Sequence, residues 1–184
     1  LSAWEVEVVG LAGRDVLSVF DLSNSEIEQL MDLADEMSKF ARGRTDTCAG
    51  QIMAALFYEP STRTRLSFEA AMQQAALGAK GETLADTVRI VESYADVIVI
   101  RHPLEGSAAL AAEFARAPII NAGDGAHEHP TQTLLDLYTL RKEHGAIKGA
   151  RVLLVGDVKY GRAARSFAYG LARFGAEIYC VAPP

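Results

Sequence analysis

The sequence predicts an α/β protein with a parallel sheet flanked by helices. Short apolar runs alternate with segments of helical period along the chain. The runs are nearly continuous, as strands covered on both faces should be. No internal repeat or low-complexity tract interrupts the pattern.

The first clear element is "DLSNSEIEQLMDLADEMSKFA", where Ile27, Leu30, Met31, Ala34 and Met37 recur at helical spacing. Ser23 and Glu26 form a capping-box pattern at its start. "QIMAALFY" (51–58) follows as a buried strand and delivers the chain through Glu59 and Pro60 to Ser61. A helix is predicted from about Thr62, and another from about Thr83, where Thr83 and Asp86 stand at cap spacing. The strand "ADVIVI" ends at Arg101, followed by an Ala-rich helix (105–116) and the strand "PIINAG". Pro130 opens the next helix, since proline is suited to the first helical position. "RVLLVG", one more helix and "EIYCVAP" complete the chain. The polar, Gly-containing stretch "RKEHGAIKGA" (141–150) is the best domain boundary, dividing 1–144 from 145–184. Two strands and one helix beyond it cannot enclose a core of their own, so the second domain is expected to be incomplete.

The chain has 184 residues, 49% hydrophobic and 23% charged, an ordinary globular composition. Its net charge of −6 argues against non-specific nucleic-acid binding, which needs a basic face. No apolar run has the length of a membrane span and no signal-like segment opens the chain, so a cytoplasmic protein without membrane partners is expected. Cys48 and Cys180 are isolated and fit a reducing compartment, as packing residues.

An anion bound by so acidic a protein must be met locally, and "STRTR" (61–65) is built for that. Ser61 is the expected N-cap, and the N–H groups of Thr62, Arg63 and Thr64 make a first-turn cradle for phosphate. A guanidinium there opposes the helix dipole unless an anion offsets it. Arg101 and His102 end one strand, while His129 and Gln132 share the positive end of the helix opened by Pro130. A histidine so placed tends to stay neutral and can donate to a developing oxyanion. "GDVKYGRA" (156–163) spaces its glycines like a P-loop, but Arg162 and Ala163 stand where that motif needs Lys and Ser or Thr. "HEH" (127–129) lacks further ligands at metal-site spacing.

With these residues in view, the chain resembles the aspartate transcarbamoylase catalytic-chain family. The motifs are "FYEPSTRTRLSFE", "KGETLADT", "IRHPLEG", "NAGDGAHEHPTQTLLDLYTL" and "VGDVKYGR", in the family's order over nearly the whole sequence. The resemblance implies a carbamoyl phosphate domain followed by the opening of a Rossmann-like aspartate domain. It implies transfer of the carbamoyl group from carbamoyl phosphate to the amino group of aspartate, for pyrimidine synthesis, with no metal or organic cofactor. Ser61, Thr62, Arg63 and Thr64 would bind the phosphate; Thr64, Arg101 and His129 would surround the carbonyl oxygen. Gln132 would hold the carbamoyl nitrogen and Arg162 one aspartate carboxylate. Lys80 would reach a neighbouring subunit's site, implying a homotrimer with shared sites, with regulatory chains or a dihydroorotase as candidate further partners. Glu59 is expected to pair with a basic residue of the second domain on closure.

Two departures stand out. Family members have a strand and a serine-bearing loop before "KGET", whereas "AAMQQAALGAK" runs from helix to Lys80 almost directly, with Ala76 or a neighbour where the serine should be. A further arginine and glutamine of the aspartate domain and a C-terminal helix are also missing. Loss of that arginine would remove a charge-assisted contact of about 2–3 kcal/mol, so efficient catalysis by these residues alone is not expected. The sequence is therefore read as part of a longer chain. Rival readings are a transcarbamoylase with another amine acceptor and a non-catalytic transcarbamoylase-like domain, or a natural or engineered fragment, acting in an assembly.

Overall fold

A computed structural model describes residues 10–40, 47–72 and 83–183. A 3₁₀ turn, Val19–Asp21, leads into α1 (Asn24–Ser38), followed by β1 (Met53–Phe57) and α2 (Thr62–Met72). Next come α3 (Leu84–Val91), β2 (Val97–His102), α4 (Ser107–Phe114), β3 (Ile119–Asp124) and α5 (Pro130–His144). The chain closes with β4 (Arg151–Val155), α6 (Arg162–Arg173) and β5 (Glu177–Val181).

Two parallel sheets form: β1–β2–β3, with β2 central, and β4–β5. Alternation along the strands sorts the first sheet's side chains to its two faces. Ala54, Leu56, Ile98 and Ile100 meet Val88 and Val91 of α3 and Ala108 and Ala111 of α4. Met53, Val99 and Ala122 face Phe68 and Met72 of α2. A third cluster joins Val19 and Leu22 to Ile27 and Met31 of α1, Leu137 of α5 and Leu171 of α6, with Val152 and Ile178 of the second sheet packed against it.

Ser23 and Glu26 form the expected capping box on α1, and the Thr83 side chain accepts from the Asp86 amide at the start of α3. The 3₁₀ turn has a capping box of its own, Ser18 with Asp21. Arg173 of α6 donates to the carbonyls of Val19 and Leu22, at 2.6 Å each, tying the turn to the far end of the chain. Both cysteines are exposed, which corrects the expectation that they are packing residues. Cys180 lies on β5, an exposed strand that pairs, among the described residues, with β4 alone. Among the described residues no helix is long and apolar enough to cross a membrane.

Candidate functional site

The C-terminal ends of β1, β2 and β3 gather the chain's polar clusters, as an open parallel sheet does where helices begin. From β1 the chain passes Tyr58, whose amide donates to the Arg101 carbonyl at 2.9 Å, and reaches Glu59 and Pro60. Ser61 then stands at the N-cap of α2, its carbonyl accepting the Arg65 amide at 3.2 Å. Ser61 and Thr64 are partly buried, while Thr62 and Arg63 face outward. Arg65 pairs with Glu69 on the same helix. The Arg63 guanidinium has no partner among the described residues, leaving a free cation in the first turn of α2.

Glu59 is the hinge of the arrangement. Its Oε2 accepts from Arg162 Nη2 at 2.8 Å and lies 3.3 Å from Arg101 Nε. The Arg101 contact is ionic rather than a hydrogen bond, because Nε is buried without a hydrogen-bond partner. Arg101 Nη1 instead donates to the Ala122 carbonyl at 3.1 Å, and Arg162 Nη1 to the Gly125 carbonyl. Both guanidiniums pass Gly123, which has φ +115°; a Cβ there would lie 3.1 Å from Arg162 Nε and 3.2 Å from Arg101 Nη1. Glycine thus supplies a backbone angle and the space two cations need.

Two guanidiniums share one carboxylate here, in a protein that is acidic overall. His129 is buried beside them, and its pKa falls from 6.5 to about 4. Burial is the main cause, with Arg101 and then Arg162 adding to it and Asp124 and Glu59 opposing. The sequence suggested a neutral histidine at a helix start; desolvation and two cations are the stronger reasons. His129 is the N-cap of α5 without a side-chain capping bond to the backbone, and its ring Nδ1 lies 3.3 Å from the Thr131 hydroxyl in the first turn. Gln132, one turn along, donates through Nε2 to Asp136 Oδ1 at 2.9 Å.

The structure thus links Glu59, Arg101, Arg162 and His129 and sets the 61–64 turn directly after Glu59. Glu59 is paired in this conformation with a basic residue from beyond position 144, Arg162. Lys80 and the loop near Ala76 lie outside the described residues.

Three supporting groups escaped sequence reasoning. Ser166 Oγ, fully buried on α6 one turn after Arg162, accepts the His129 amide at 3.0 Å. Glu128 accepts from Ser18 Oγ at 2.7 Å and the Val19 amide at 3.1 Å, fastening the His129 turn to the 3₁₀ turn. Asp124 is buried and accepts from the Gly106 and Glu128 amides and from Asn121 Nδ2. The polar residues of "NAGDGAHEHP" were the available signal for Asp124 and Glu128, but the Glu128 bond to Ser18 crosses 110 positions and the Ser166 bond to His129 crosses 37. The "HEH" residues are not converged as metal ligands would be: Glu128 turns to Ser18 and Val19, while His127 is half-exposed and 3.4 Å from Asp124.

Known proteins resemble this chain in sequence and in fold. Residues 14–142 match the model of the aspartate/ornithine carbamoyltransferase family, carbamoyl-P binding domain. The aspartate carbamoyltransferase catalytic subunit of Methanopyrus kandleri is 56% identical over 185 residues, covering 94% of this chain and 60% of that protein. That of Thermococcus gammatolerans is 51% identical, with 93% and 60% covered. Those 185 aligned positions exceed the share of this 184-residue chain they use, so the alignment opens gaps in this chain. Among solved structures, the catalytic subunit of M. jannaschii aspartate transcarbamoylase superposes with a TM-score of 0.85 at 45% identity, covering 92% of this chain and 60% of that one. Aspartate transcarbamoylase from Trypanosoma cruzi in complex with N-(phosphonacetyl)-L-aspartic acid gives 0.89 at 38% identity, covering 96% and 62%. This chain therefore spans about 60% of the length of the relatives it matches. With more than half of its residues matched by the family model, it belongs to the aspartate/ornithine carbamoyltransferase family.

Proposed function

We propose that this chain supplies the carbamoyl phosphate half of a carbamoyl-transfer site, and that the whole protein carries the group to the amino group of L-aspartate. Products are N-carbamoyl-L-aspartate and phosphate, in de novo pyrimidine biosynthesis. The carrying observation is Glu59 holding Arg101 of β2 and Arg162 of α6 together beside the first turn of α2.

In the reaction the amine nitrogen bonds to the carbamoyl carbon, the bond from that carbon to the phosphate oxygen breaks, and an amine proton leaves with the phosphate. Charge develops on the carbonyl oxygen and on the leaving group, so donors fixed in advance at both places lower the barrier. Ser61, Thr62, Arg63 and Thr64 bind the phosphate. Thr64, Arg101 and neutral His129 face the carbonyl oxygen, and Gln132 takes the carbamoyl nitrogen. Arg162 turns from Glu59 toward an aspartate carboxylate. Residues 1–144 form the carbamoyl phosphate domain, which the family match over 14–142 supports, and 145–184 open the aspartate domain. The relatives' complexes with N-(phosphonacetyl)-L-aspartic acid and with carbamoyl phosphate and aspartate support both substrates. Lys80 reaches a neighbouring copy in a cytoplasmic homotrimer.

The test is production of carbamoyl-aspartate by the full-length protein, with Arg63→Ala abolishing it. A scaffold would keep its assembly after that substitution and form no product before it. Since the matched family model spans aspartate and ornithine enzymes, ornithine is the acceptor to run beside aspartate. Product from ornithine alone would reassign the acceptor and leave the carbamoyl phosphate half intact.

A further inference from the structure

Gln132 and Asp136 lie four residues apart on α5, and Gln132 Nε2 donates to Asp136 Oδ1 at 2.9 Å. An ionised carboxylate only accepts, so the amide must turn its NH₂ to Asp136 and its Oε1 elsewhere. Side chains on a helix lean toward its N-terminus, which carries Gln132 toward the His129 end and leaves Asp136 a turn behind. Asp136 is half-buried, and burial raises its pKa while the Gln132 bond lowers it. The pair is therefore partly shielded from competing water.

The other groups that the carbamoyl phosphate reading assigns to the site mostly donate. They are the first-turn amides of α2, the Arg63 and Arg101 guanidiniums and the His129 ring; the Glu59 carboxylate is engaged by Arg101 and Arg162. Such a set suits the phosphate and carbonyl oxygens of any acyl phosphate. An acceptor is the one addition that distinguishes a carbamoyl group, because its NH₂ donates where the methyl of an acetyl group cannot.

We infer that Asp136 is a positioning residue: by holding Gln132 Nε2 it fixes Gln132 Oε1 as the acceptor that selects a carbamoyl group over an acyl group of the same shape. This rests on the carbamoyl phosphate reading above and adds the origin of its selectivity. A site built to pair a donor rejects the analogue lacking it, because its own polar group is then left unpaired.

The experiment compares two stable phosphonates that differ only in NH₂ against CH₃, phosphonoacetamide and (2-oxopropyl)phosphonate, with inorganic phosphate as a third probe, by calorimetric titration of the full chain. The unaltered chain is expected to favour the amide by about fivefold or more, the scale of one hydrogen bond. In Asp136→Asn, whose amide can also donate and so releases the Gln132 orientation, the preference shrinks; in Asp136→Leu it approaches unity. Asp136→Glu retains it, and phosphate affinity changes by less than about twofold in all three. Equal weakening of all three probes marks a merely structural role and overturns the inference, as does an undiminished preference in the Asn and Leu variants. Phosphate binding without any amide preference in the unaltered chain overturns the selectivity alone. Failure of the unaltered chain to bind any of the three overturns the carbamoyl phosphate reading with it.

Discussion

The two sheets are built from similar apolar runs and meet opposite fates. In the first, β1 is buried along most of its length and β2 through its middle, with α3 and α4 on one face and α2 on the other. In the second, burial alternates along β4, and Leu153, Val155, Tyr179 and Val181 are 54–72% exposed. Its other side packs through Val152 and Ile178 against the cluster of α1, α5 and α6. Parallel strands normally have both faces covered, so the second sheet is the half-dressed one. The difference also divides the site. Most of its polar groups rise from the ends of the covered sheet, and the uncovered sheet sends in only α6, with Arg162 and Ser166.

The packing of the first sheet is probed by Ile98→Ala. Ile98 is fully buried on the central strand, in the cluster with Ala54, Leu56 and Ile100. Removing its branched side chain takes away buried apolar surface and leaves a cavity, for a loss of about 3 kcal/mol in urea unfolding. A loss below about 1 kcal/mol would mean that this sheet is no better packed than the second.

Acid should strike the junction next. His129 has a pKa of about 4 in the fold against an ordinary 6.5, so below pH 6.5 the unfolded chain takes a proton that the folded one refuses. Stability is then lost as pH falls from 6.5 toward 4, by at most about 3 kcal/mol for a shift of this size. Glu26, held near 2 chiefly by its hydrogen bonds with Ser23, contributes stability that is present above 4.5 and lost only below it. The windows barely overlap. His129→Gln should flatten the upper one alone in unfolding curves taken from pH 7 to pH 4.

Gly123→Ala tests whether the two arginines need their passage. It combines a left-handed φ with a Cβ 3.1–3.2 Å from both guanidiniums, and should cost about 2 kcal/mol while weakening phosphate binding. Calorimetric titration with phosphate and urea unfolding on the same protein check it. A stable variant with unaltered affinity would show that Arg101 and Arg162 move aside freely.

Much of this was legible because it is local. The Ser23–Glu26 cap, the Pro130 helix start and the delivery of β1 to Ser61 depend on neighbours within one turn or one strand. The 3₁₀ turn at Val19–Asp21 was missed because three residues carry no periodicity. Arg162 was recognised as a cation, but its bond to Glu59 crosses 103 positions, and the Glu128 bond to Ser18 crosses 110. No spacing rule reaches that far. Which side chains of the second sheet face out was not legible, because it follows from the register β4 adopts against β5.

Val155→Asp on that exposed side should have the smallest effect, and it separates the sheets most cleanly when set beside Val99→Asp. Val155 is 72% exposed and Val99 is fully buried in the cluster it forms with Met53 and Ala122. An aspartate at 155 can keep its carboxylate in water, so the cost is the poorer strand preference, about 1 kcal/mol or less. At 99 the same carboxylate would be buried without a partner, and a stability of ordinary size would not survive it. Urea midpoints of the two variants provide the comparison. Binding of a dye that recognises exposed apolar surface should fall in Val155→Asp, because the substitution interrupts the row made with Leu153, Tyr179 and Val181. If Val155→Asp instead cost more than about 2 kcal/mol, this side would be covered in solution, and the contrast between the sheets would dissolve into two complete sheets.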